Sequence, residues 1–397
     1  MKIVHLVTST TGGAAQAAIR SHEALLGANH NSSILSIERR VEGHPNEIVK
    51  KLPTSSITRI LSSVTTVIQQ KAIQKSSNPV SPISLDLLNW DDPEIQTADV
   101  LHLHAFYNLV SVRNFLRKLP HKKKVVTLHD ERFFTGGCHY QMDCEQLENG
   151  CRRCPQVRIP YHPLVTRQRK SVLRLINGNL DVTFVCPSLW MMQRAMNAFP
   201  EFPDSHFVQI YNPIPTNSTV TNQSTTRERG INFGFVSQNL DNPIKNLGLL
   251  LDAFKEVSSV YSGQHSLTLI GESNRDYSMG GLDVSQRVVN STVELQKAFR
   301  VMDVLVVPST HDNLPNVMGE ALMSGVGLIG SNVGGIPEIA ELFNQHLFES
   351  GDKAGLVQAM QNFKLADRTQ IKDQADHVFG YQTIAARLSE IYSTKLH

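Results

Sequence analysis

One pattern constrains the fold more than any other: a short apolar run that ends in a polar residue and leads into helical patterning. It occurs at 2–7, 100–104, 124–129, 182–187 and 207–213. Runs of this length and bounding read as strands buried on both faces, as in a parallel sheet flanked by crossover helices. After the first run, the turn Thr8-Ser-Thr-Thr-Gly-Gly13 leads to an amphipathic helical pattern over 14–26. A second set of strand-like runs lies at 231–236, 266–270, 288–289, 304–307 and 327–330, alternating with helical patterns at 247–260, 293–300, 315–324 and 355–363. Between the sets, 215–230 (PTNSTVTNQSTTRERG) has almost nothing to bury and reads as a linker or surface loop. Two successive parallel α/β domains are the expected architecture, which suits a chain of 397 residues. In such sheets ligands bind outside the carboxyl ends of the strands, so the polar residues there are the first candidates for function.

Composition narrows the class. Hydrophobic residues at 41% and charged residues at 19% are globular proportions and exclude wholesale disorder. With 38 basic against 36 acidic residues the net charge is only +2, which argues against a nucleic-acid partner. That total hides a dipole: residues 1–212 carry 24 Lys and Arg against 17 Asp and Glu, and the remainder 14 against 19. No apolar run approaches the roughly 20 residues that span a bilayer. The opening MKIVHLVTSTTGG is too short in its apolar part for a signal-peptide core and reads as a first buried strand. A cytoplasmic protein is the expectation.

The most informative stretch runs from Val304 to Leu322 (VLVVPSTHDNLPNVMGEAL). A buried strand ends at Pro308, a polar turn carries Asp312, and a helix begins near Pro315, where proline is tolerated in the first turn. A helix start presents N–H groups and a positive dipole end, a seat for phosphate. Glu320 falls one turn into that helix, so it and Asp312 can face the same ligand; the plainer alternative is a capped helix with solvated acids.

The order acid, seven residues, Glu, followed by Asn332-Val-Gly-Gly-Ile-Pro-Glu338, resembles the signature of the GT-B glycosyltransferases of family 4 (group 1). Gly12-Gly13-Ala14-Ala15 resembles that family's glycine loop, and Thr127-Leu-His-Asp130 its histidine-bearing strand end. Pro187-Ser-Leu-Trp190 resembles its short motif after a later strand, and Tyr211-Asn-Pro-Ile-Pro215 its hinge. The resemblance implies two Rossmann-like domains facing across a cleft. Residues 1–212 would bind the acceptor, 213–380 the nucleotide sugar, and 381–397 would form a helix crossing back to the first domain. It also implies retention at the anomeric carbon, with the leaving diphosphate taking the acceptor's proton on the same face.

Residue roles are carried over from the resemblance. Glu320 would bind the ribose hydroxyls, and Asp312, where the family more often has Glu, the donor sugar. Lys245 would neutralise the leaving diphosphate, and His129 would contact the sugar and orient the acceptor. Gly12, Gly13, Gln238, Asn313, Leu314, Pro315 and Asn316 complete the donor side, and Gly13, His129 and Asp130 the acceptor side. The base would rest on backbone around Gly271 and 288–290. Many family members pair the diphosphate lysine with an arginine a few residues earlier; here Gln238 lies near that place. No Asp-x-Asp occurs, which favours metal-independent transfer with no catalytic cofactor, and no Gly-x-Gly-x-x-Gly follows a strand, which weakens a dinucleotide oxidoreductase reading.

Four of the five cysteines fall in one insertion at 135–156, as Cys138-x5-Cys144-x6-Cys151-x2-Cys154. This spacing resembles a subgroup typified by colanic-acid-type exopolysaccharide transferases. A compact set ending in Cys-x2-Cys suits a tetrahedral structural zinc; disulfides or four reduced thiols are the alternatives. Cys186 reads as a core residue. The basic run at 113–124 is either a solvated helix end or a patch for anionic lipid, which 57–71, a mildly amphipathic segment, would assist. The function expected is therefore transfer of a hexose from a UDP- or GDP-linked sugar to a polyprenyl-diphosphate-linked saccharide, in exopolysaccharide or lipopolysaccharide synthesis, at the cytoplasmic face of the inner membrane. A nucleotide-sugar epimerase and a non-catalytic sugar-nucleotide-binding scaffold are the alternatives.

Overall fold

The computed structural model describes residues 1–37, 49–51, 56–74, 79–142, 144–176, 181–216, 230–260, 265–289 and 291–394. The linker expected at 215–230 lies outside these except for its ends, and so does Asn290 of the expected base contact. The chain divides into two compact units, Met1–Tyr211 with Ile384–His397, and Asn212–Thr383.

Unit 1 is built on strands β1 (Lys2–Val7), β2 (Asn31–Ser36), β3 (Val49–Lys51), β4 (Val100–Leu103), β5 (Lys123–Thr127), β6 (Val182–Cys186) and β7 (Phe207–Gln209), in the order β3-β2-β1-β4-β5-β6-β7. Every neighbouring pair is parallel. Its helices are α1 (Gly13–Gly27), α2 (Ser56–Ala72), α3 (Pro93–Thr97), α4 (Val112–Arg117), α5 (His162–Ile176) and α6 (Leu189–Ala198). Side chains alternate across the sheet. Leu101 and Leu103 of β4 pack with Phe184 against Phe115 of α4, Val172 of α5 and Met191 of α6. Val100 faces the other way, with Ile3, Val125 and Val185, against Ile384, Leu388, Ile391 and Tyr392 of the chain's last described helix. Each such aliphatic side chain, fully buried, contributes about 1.5–3 kcal/mol.

Unit 2 holds β8 (Asn232–Asn239), β9 (Ser266–Glu272), β10 (Asp283–Arg287), β11 (Val304–Val307), β12 (Gly327–Ser331) and β13 (His346–Phe348), all parallel, in the order β10-β9-β8-β11-β12-β13. Helices α7 (Leu247–Val260), α8 (Thr292–Val301), α9 (Asn316–Leu322), α10 (Ile336–Leu342), α11 (Lys353–Asn362) and α12 (Arg368–Phe379) belong to it, and α13 (Tyr381–Ser393) joins unit 1 from Ile384 onward. Phe233, Phe235, Leu267, Val304 and Val306 pack against Leu250 and Phe254 of α7 and Leu356 and Met360 of α11.

The strand expected at 288–289 is instead β10, at Asp283–Arg287. As an edge strand paired only with β9 and largely exposed, it needs no apolar run, so the apolar Val288-Val289 pointed just past it. In both sheets the strand order reverses once, between β1 and β4 and between β8 and β11. Crevices at the carboxyl ends of such switch points are where open α/β sheets hold ligands.

Candidate functional site

In unit 2 the loops after β8 and β11, the two strands of the switch point, carry Lys245 and Asp312 to Pro315 of the predicted donor residues. After β8, the Asn242 side chain accepts the Ile244 N–H at 3.1 Å and starts a single 3-10 turn over Pro243–Lys245. Left-handed Asn246 (φ 54°) then turns the chain into α7, a conformation asparagine adopts more readily than most residues. After β11, the Thr310 N–H donates to the Ile244 carbonyl at 2.8 Å, tying the two loops together. Across that tie Lys245 Nζ pairs with Asp312 Oδ2, and Ser309 Oγ lies 3.5 Å from the same oxygen. Asp312 is only 8% exposed, so its charge is held where the lysine is its main compensation.

A third loop, 332–335, folds over this pair. The Gly335 N–H donates to the Asn313 carbonyl at 2.7 Å, and Ser331 Oγ to the Ser309 carbonyl at 2.6 Å. Gly334 has φ 60°, and a side chain there would overlap the Asp312 carbonyl, so glycine is required by both conformation and space. Gly271, at the end of β9, is required in the same way against the Ser237 carbonyl. Pro315 caps α9, and Glu320 lies half-buried on that helix behind half-buried Asn316, which accepts a 2.9 Å bond from the Asn212 side-chain amide. Leu314 is half-buried, Asn313 buried, and Gln238 exposed at the end of β8. The structure thus gathers Lys245, Asp312 and Asn313 in one knot of loops, with Leu314, Pro315, Asn316 and Glu320 continuing from it.

Sequence reasoning passed over a neighbouring group. Asp241, just after β8, accepts bonds from Tyr277 Oη at 2.6 Å and Ser273 Oγ at 2.8 Å, and Arg275 Nε lies 3.4 Å from it. These residues follow β9, too far along the chain for a local motif to reveal the pairing.

In unit 1, Gly12 (φ 88°) breaks the chain out of the β1 loop and precedes Gly13, the first residue of α1, whose start has no side-chain cap. His129 follows β5 and Asp130 follows it. The Asp130 carboxylate accepts the Arg132 backbone N–H at 3.0 Å and its guanidinium at 2.9 Å. Burial opposes ionisation of Asp130, yet Arg132 and His139 outweigh it and hold its carboxyl below the usual range.

Behind His129 lies a row of buried imidazoles that the sequence reading treated as separate strand features. His5 and His102 are register partners on β1 and β4, and His104 follows on the same face. His5 Nδ1 is 2.9 Å from His104 Nε2, and His104 Nδ1 is 3.1 Å from His129 Nε2. His102 bonds Tyr392 Oη and Thr127 Oγ1, each at 2.7 Å. His5 Nε2 is buried without a hydrogen-bond partner among the described residues. Placing the His5 proton on Nδ1 leaves a lone pair rather than an N–H unpartnered at Nε2, the less costly arrangement. His5 then donates to His104 and His104 to His129, which leaves the His129 proton on Nδ1. Burial lowers these pKa values: to about 3 for His5, where the nearby His22 adds to it, to about 4 for His129, and well below the ordinary value for His102 and His104. Among the described residues, His5, His102 and His104 are the trio of metal-ligand type whose donor atoms lie within 4.8 Å of one another. Every nitrogen of the trio but His5 Nε2 already has a partner: His5 and His104 belong to the chain that ends at His129, and His102 is held by Tyr392 and Thr127.

The cysteines of the insertion are unbridged. Cys138, Cys151 and Cys154 are buried in one cluster with Val157 and Val165, and Cys144 is half-buried. The Cys138 thiol bonds the Cys154 sulfur, which raises the first pKa and lowers the second. The four sulfurs do not form a group as tight as the histidine trio. The insertion docks on 79–82 through an isolated bridge of Val80 to Cys138 and a 2.7 Å bond from the Ser81 N–H to the Gly137 carbonyl. Cys186 is fully buried in β6, as expected for a core residue, and burial pushes its thiol up.

Comparison with known proteins adds to this geometry. Residues 230–364 match the family model "Glycosyl transferases group 1". WcaC of Escherichia coli K12, assigned as a colanic acid biosynthesis glycosyl transferase, is 26% identical over 274 residues, which are 61% of this chain and 62% of WcaC. The match therefore spans about three-fifths of that relative's length. The fold resembles that of Anabaena HepE solved with UDP (TM-score 0.62, 14% identity, 99% of this chain and 100% of that one). It also resembles WaaG, a glycosyltransferase involved in lipopolysaccharide biosynthesis (TM-score 0.61, 11% identity, 99% and 100%). The fold is GT-B, and the stretch that matches the group 1 glycosyltransferase model lies within unit 2.

Proposed function

We propose that the chain is a glycosyltransferase that moves a hexose from a nucleotide diphosphate sugar to a saccharide acceptor in exopolysaccharide or lipopolysaccharide synthesis. The observation that carries this reading is the Lys245–Asp312 pair at the switch point of the group 1 domain, beside the helix that bears Glu320. An arriving diphosphate would exchange Asp312 for phosphate oxygens at Lys245, freeing the carboxylate for sugar hydroxyls while Glu320 takes the ribose. The solved HepE complexes with UDP and with UDP-glucose (TM-score 0.60, 15% identity, 99% of each chain for the latter) support a uridine donor over a guanosine one.

Transfer with retention needs no protein nucleophile in this account: the leaving diphosphate accepts the acceptor's proton, and Lys245 offsets the charge that builds on it. No divalent metal or catalytic cofactor enters the step. Gly12, Gly13, His129 and Asp130 are the acceptor-side residues. The histidine chain would hold His129 in one tautomer, presenting Nδ1–H.

The acceptor is a polyprenyl-diphosphate-linked saccharide, met at an anionic membrane surface on the cytoplasmic side. Among the described residues no helix is long and apolar enough to cross a membrane. What supports peripheral attachment is α2, which exposes Leu61, Val64 and Val67 while burying Thr65 and Gln69, an inversion of the usual pattern. Cys138, Cys144, Cys151 and Cys154 would hold a structural zinc. The contact of Cys138 with Cys154 would supply two of the four ligands, and drawing Cys144 and Cys151 onto the ion would pin the insertion to unit 1. Elemental analysis with chelation checks this: zinc near one equivalent, with loss of stability on removal, is expected, and a metal-free, fully stable protein overturns it.

Product analysis tests the function. Incubated with UDP-glucose and a lipid-linked saccharide, the chain should yield a glycosylated lipid and UDP. Conversion of the nucleotide sugar by itself would mark an epimerase. Binding without turnover of any acceptor would mark a scaffold.

A further inference from the structure

A groove of about 720 Å³ opens on unit 1 between α4, α5 and the turn joining Cys151 to Cys154. Six cations line it: Arg113 and Arg117 from α4, Arg152 from the cysteine turn, and Arg167, Lys170 and Arg174 from α5. Among the described residues no carboxylate lines it and none makes an ion pair with these six side chains, all of which are exposed.

The sequence hid this arrangement behind a different one. The basic run at 113–124 reads as one patch, but the fold divides it. Lys122 Nζ donates to the Gln96 and Ala98 carbonyls at 2.8 and 2.6 Å, Lys123 pairs with Asp181 at 3.1 Å, and Lys124 Nζ donates to the Leu119 carbonyl at 3.1 Å. These three lysines anchor the start of β5. The positive surface is assembled instead from segments far apart in the chain. Arg113 and Arg117 are four residues apart, and Arg167, Lys170 and Arg174 are spaced by three and four, so each helix turns one cationic stripe toward the groove. Left-handed Gly150 and Cys151 (φ 68° and 57°), with a 2.7 Å bond from the Cys151 N–H to the Gln146 carbonyl, carry the insertion round to bring Arg152 to the same place.

Like charges at these spacings repel, and no described residue pairs with them. Five of the six are arginines, whose planar forks match phosphate oxygens in pairs, where a diffuse attraction to a charged surface would be served as well by lysine. The charges surround a concavity of a size that takes a discrete ligand.

We propose that this groove is a binding site for a ligand bearing a diphosphate, gripped by guanidinium groups from α4, α5 and the cysteine insertion. The chemistry is shared by a prenyl-diphosphate-linked molecule and by soluble diphosphates. The site involves none of the donor residues, so it stands or falls apart from the donor reading.

Calorimetry on the full chain tests it, with inorganic pyrophosphate and farnesyl diphosphate as ligands, at about 0.15 M salt, where screening leaves only close charge contacts. Binding is expected that survives Lys245→Ala, weakens at least about tenfold in the double variant Arg167→Ala/Arg174→Ala, and weakens less in Arg167→Lys/Arg174→Lys, which keeps charge but loses the fork. Arg113→Ala/Arg117→Ala, on the other helix, should reproduce the loss, so the test does not hang on one variant's folding. Tighter binding of farnesyl diphosphate than of pyrophosphate assigns the lipid-linked source, and equal binding the soluble one. The proposal is overturned if pyrophosphate and farnesyl diphosphate both fail to bind, or bind all these arginine variants as well as the parent. It is equally overturned if the substitutions weaken binding only to phosphatidylglycerol vesicles, which would make the groove a general lipid contact.

Discussion

The two sheets differ in where they hold buried polar groups. In unit 1 polar side chains lie within the sheet: His5 and His102 face each other across β1 and β4, and the terminal helix seals them with Tyr392. In unit 2 the central strand β11 is wholly apolar, and buried Ser309, Asp312, Asn313 and Ser331 collect at the ends of β11 and β12. One unit has its polar chemistry woven into its stability, and the other has it in loops that a rigid sheet merely positions. The difference teaches which unit tolerates substitution at its site and which does not.

Acidification should separate them most strongly. The folded-state pKa values of His5, His22 and His129 (about 3, 4 and 4) lie below the ordinary 6.5, so the unfolded chain takes up protons first. The stability they contribute is present above about pH 6.5 and is lost as pH falls toward 4, at about 1.4 kcal/mol per pH unit for each imidazole. Unit 1 should therefore open before unit 2 near pH 5. Hydrogen exchange resolved by segment measures this, and simultaneous opening would erase the distinction.

Next in size is Gly334→Ala, which forces a side chain onto the Asp312 carbonyl at φ 60°. A loss on the order of 2–3 kcal/mol in unit 2 is expected, read as a lowered melting temperature together with impaired turnover. In unit 1, His104→Leu strands a donor on His5 and an acceptor on His129, a cost of about 1–3 kcal/mol at neutral pH. A stability loss with normal turnover would show that the histidine chain holds the fold without orienting His129. Glu320→Ala has the smallest effect on stability and should leave folding near that of the parent, whereas Lys245→Ala also strips buried Asp312 of its ion partner and lowers stability; both should cut transfer about tenfold or more, or about 1.4 kcal/mol of barrier. Near-normal turnover in both would remove the site from unit 2.

The same contrast explains what the sequence makes legible. The unit 2 site is nearly contiguous, with a strand, an acid, a helix start and a glutamate within one stretch, so local rules place Asp312 and Glu320 on neighbouring elements. The histidine row draws one residue from β1, two from β4 and its neighbouring loop, one from beyond β5 and a tyrosine from α13, and no local pattern links them. Edge and short strands are the least legible: β10 is largely exposed, and β3 and β13 are three residues long, too short to show a period. The basic run misled because strand-start lysines, which the fold spends on carbonyls, look in sequence like surface charge.

The central claim is that the Lys245–Asp312–Glu320 group of unit 2 binds a nucleotide diphosphate sugar. The direct measurement is thermal stabilisation of the parent chain and of Lys245→Ala and Glu320→Ala by UDP, GDP, ADP and their sugars. A ligand at about 100 times its Kd adds about 2.7 kcal/mol to the folded state. The account predicts a clear rise for a uridine diphosphate sugar in the parent and a small or absent one in both variants. Equal stabilisation of all three proteins, or of none by any nucleotide, would contradict it.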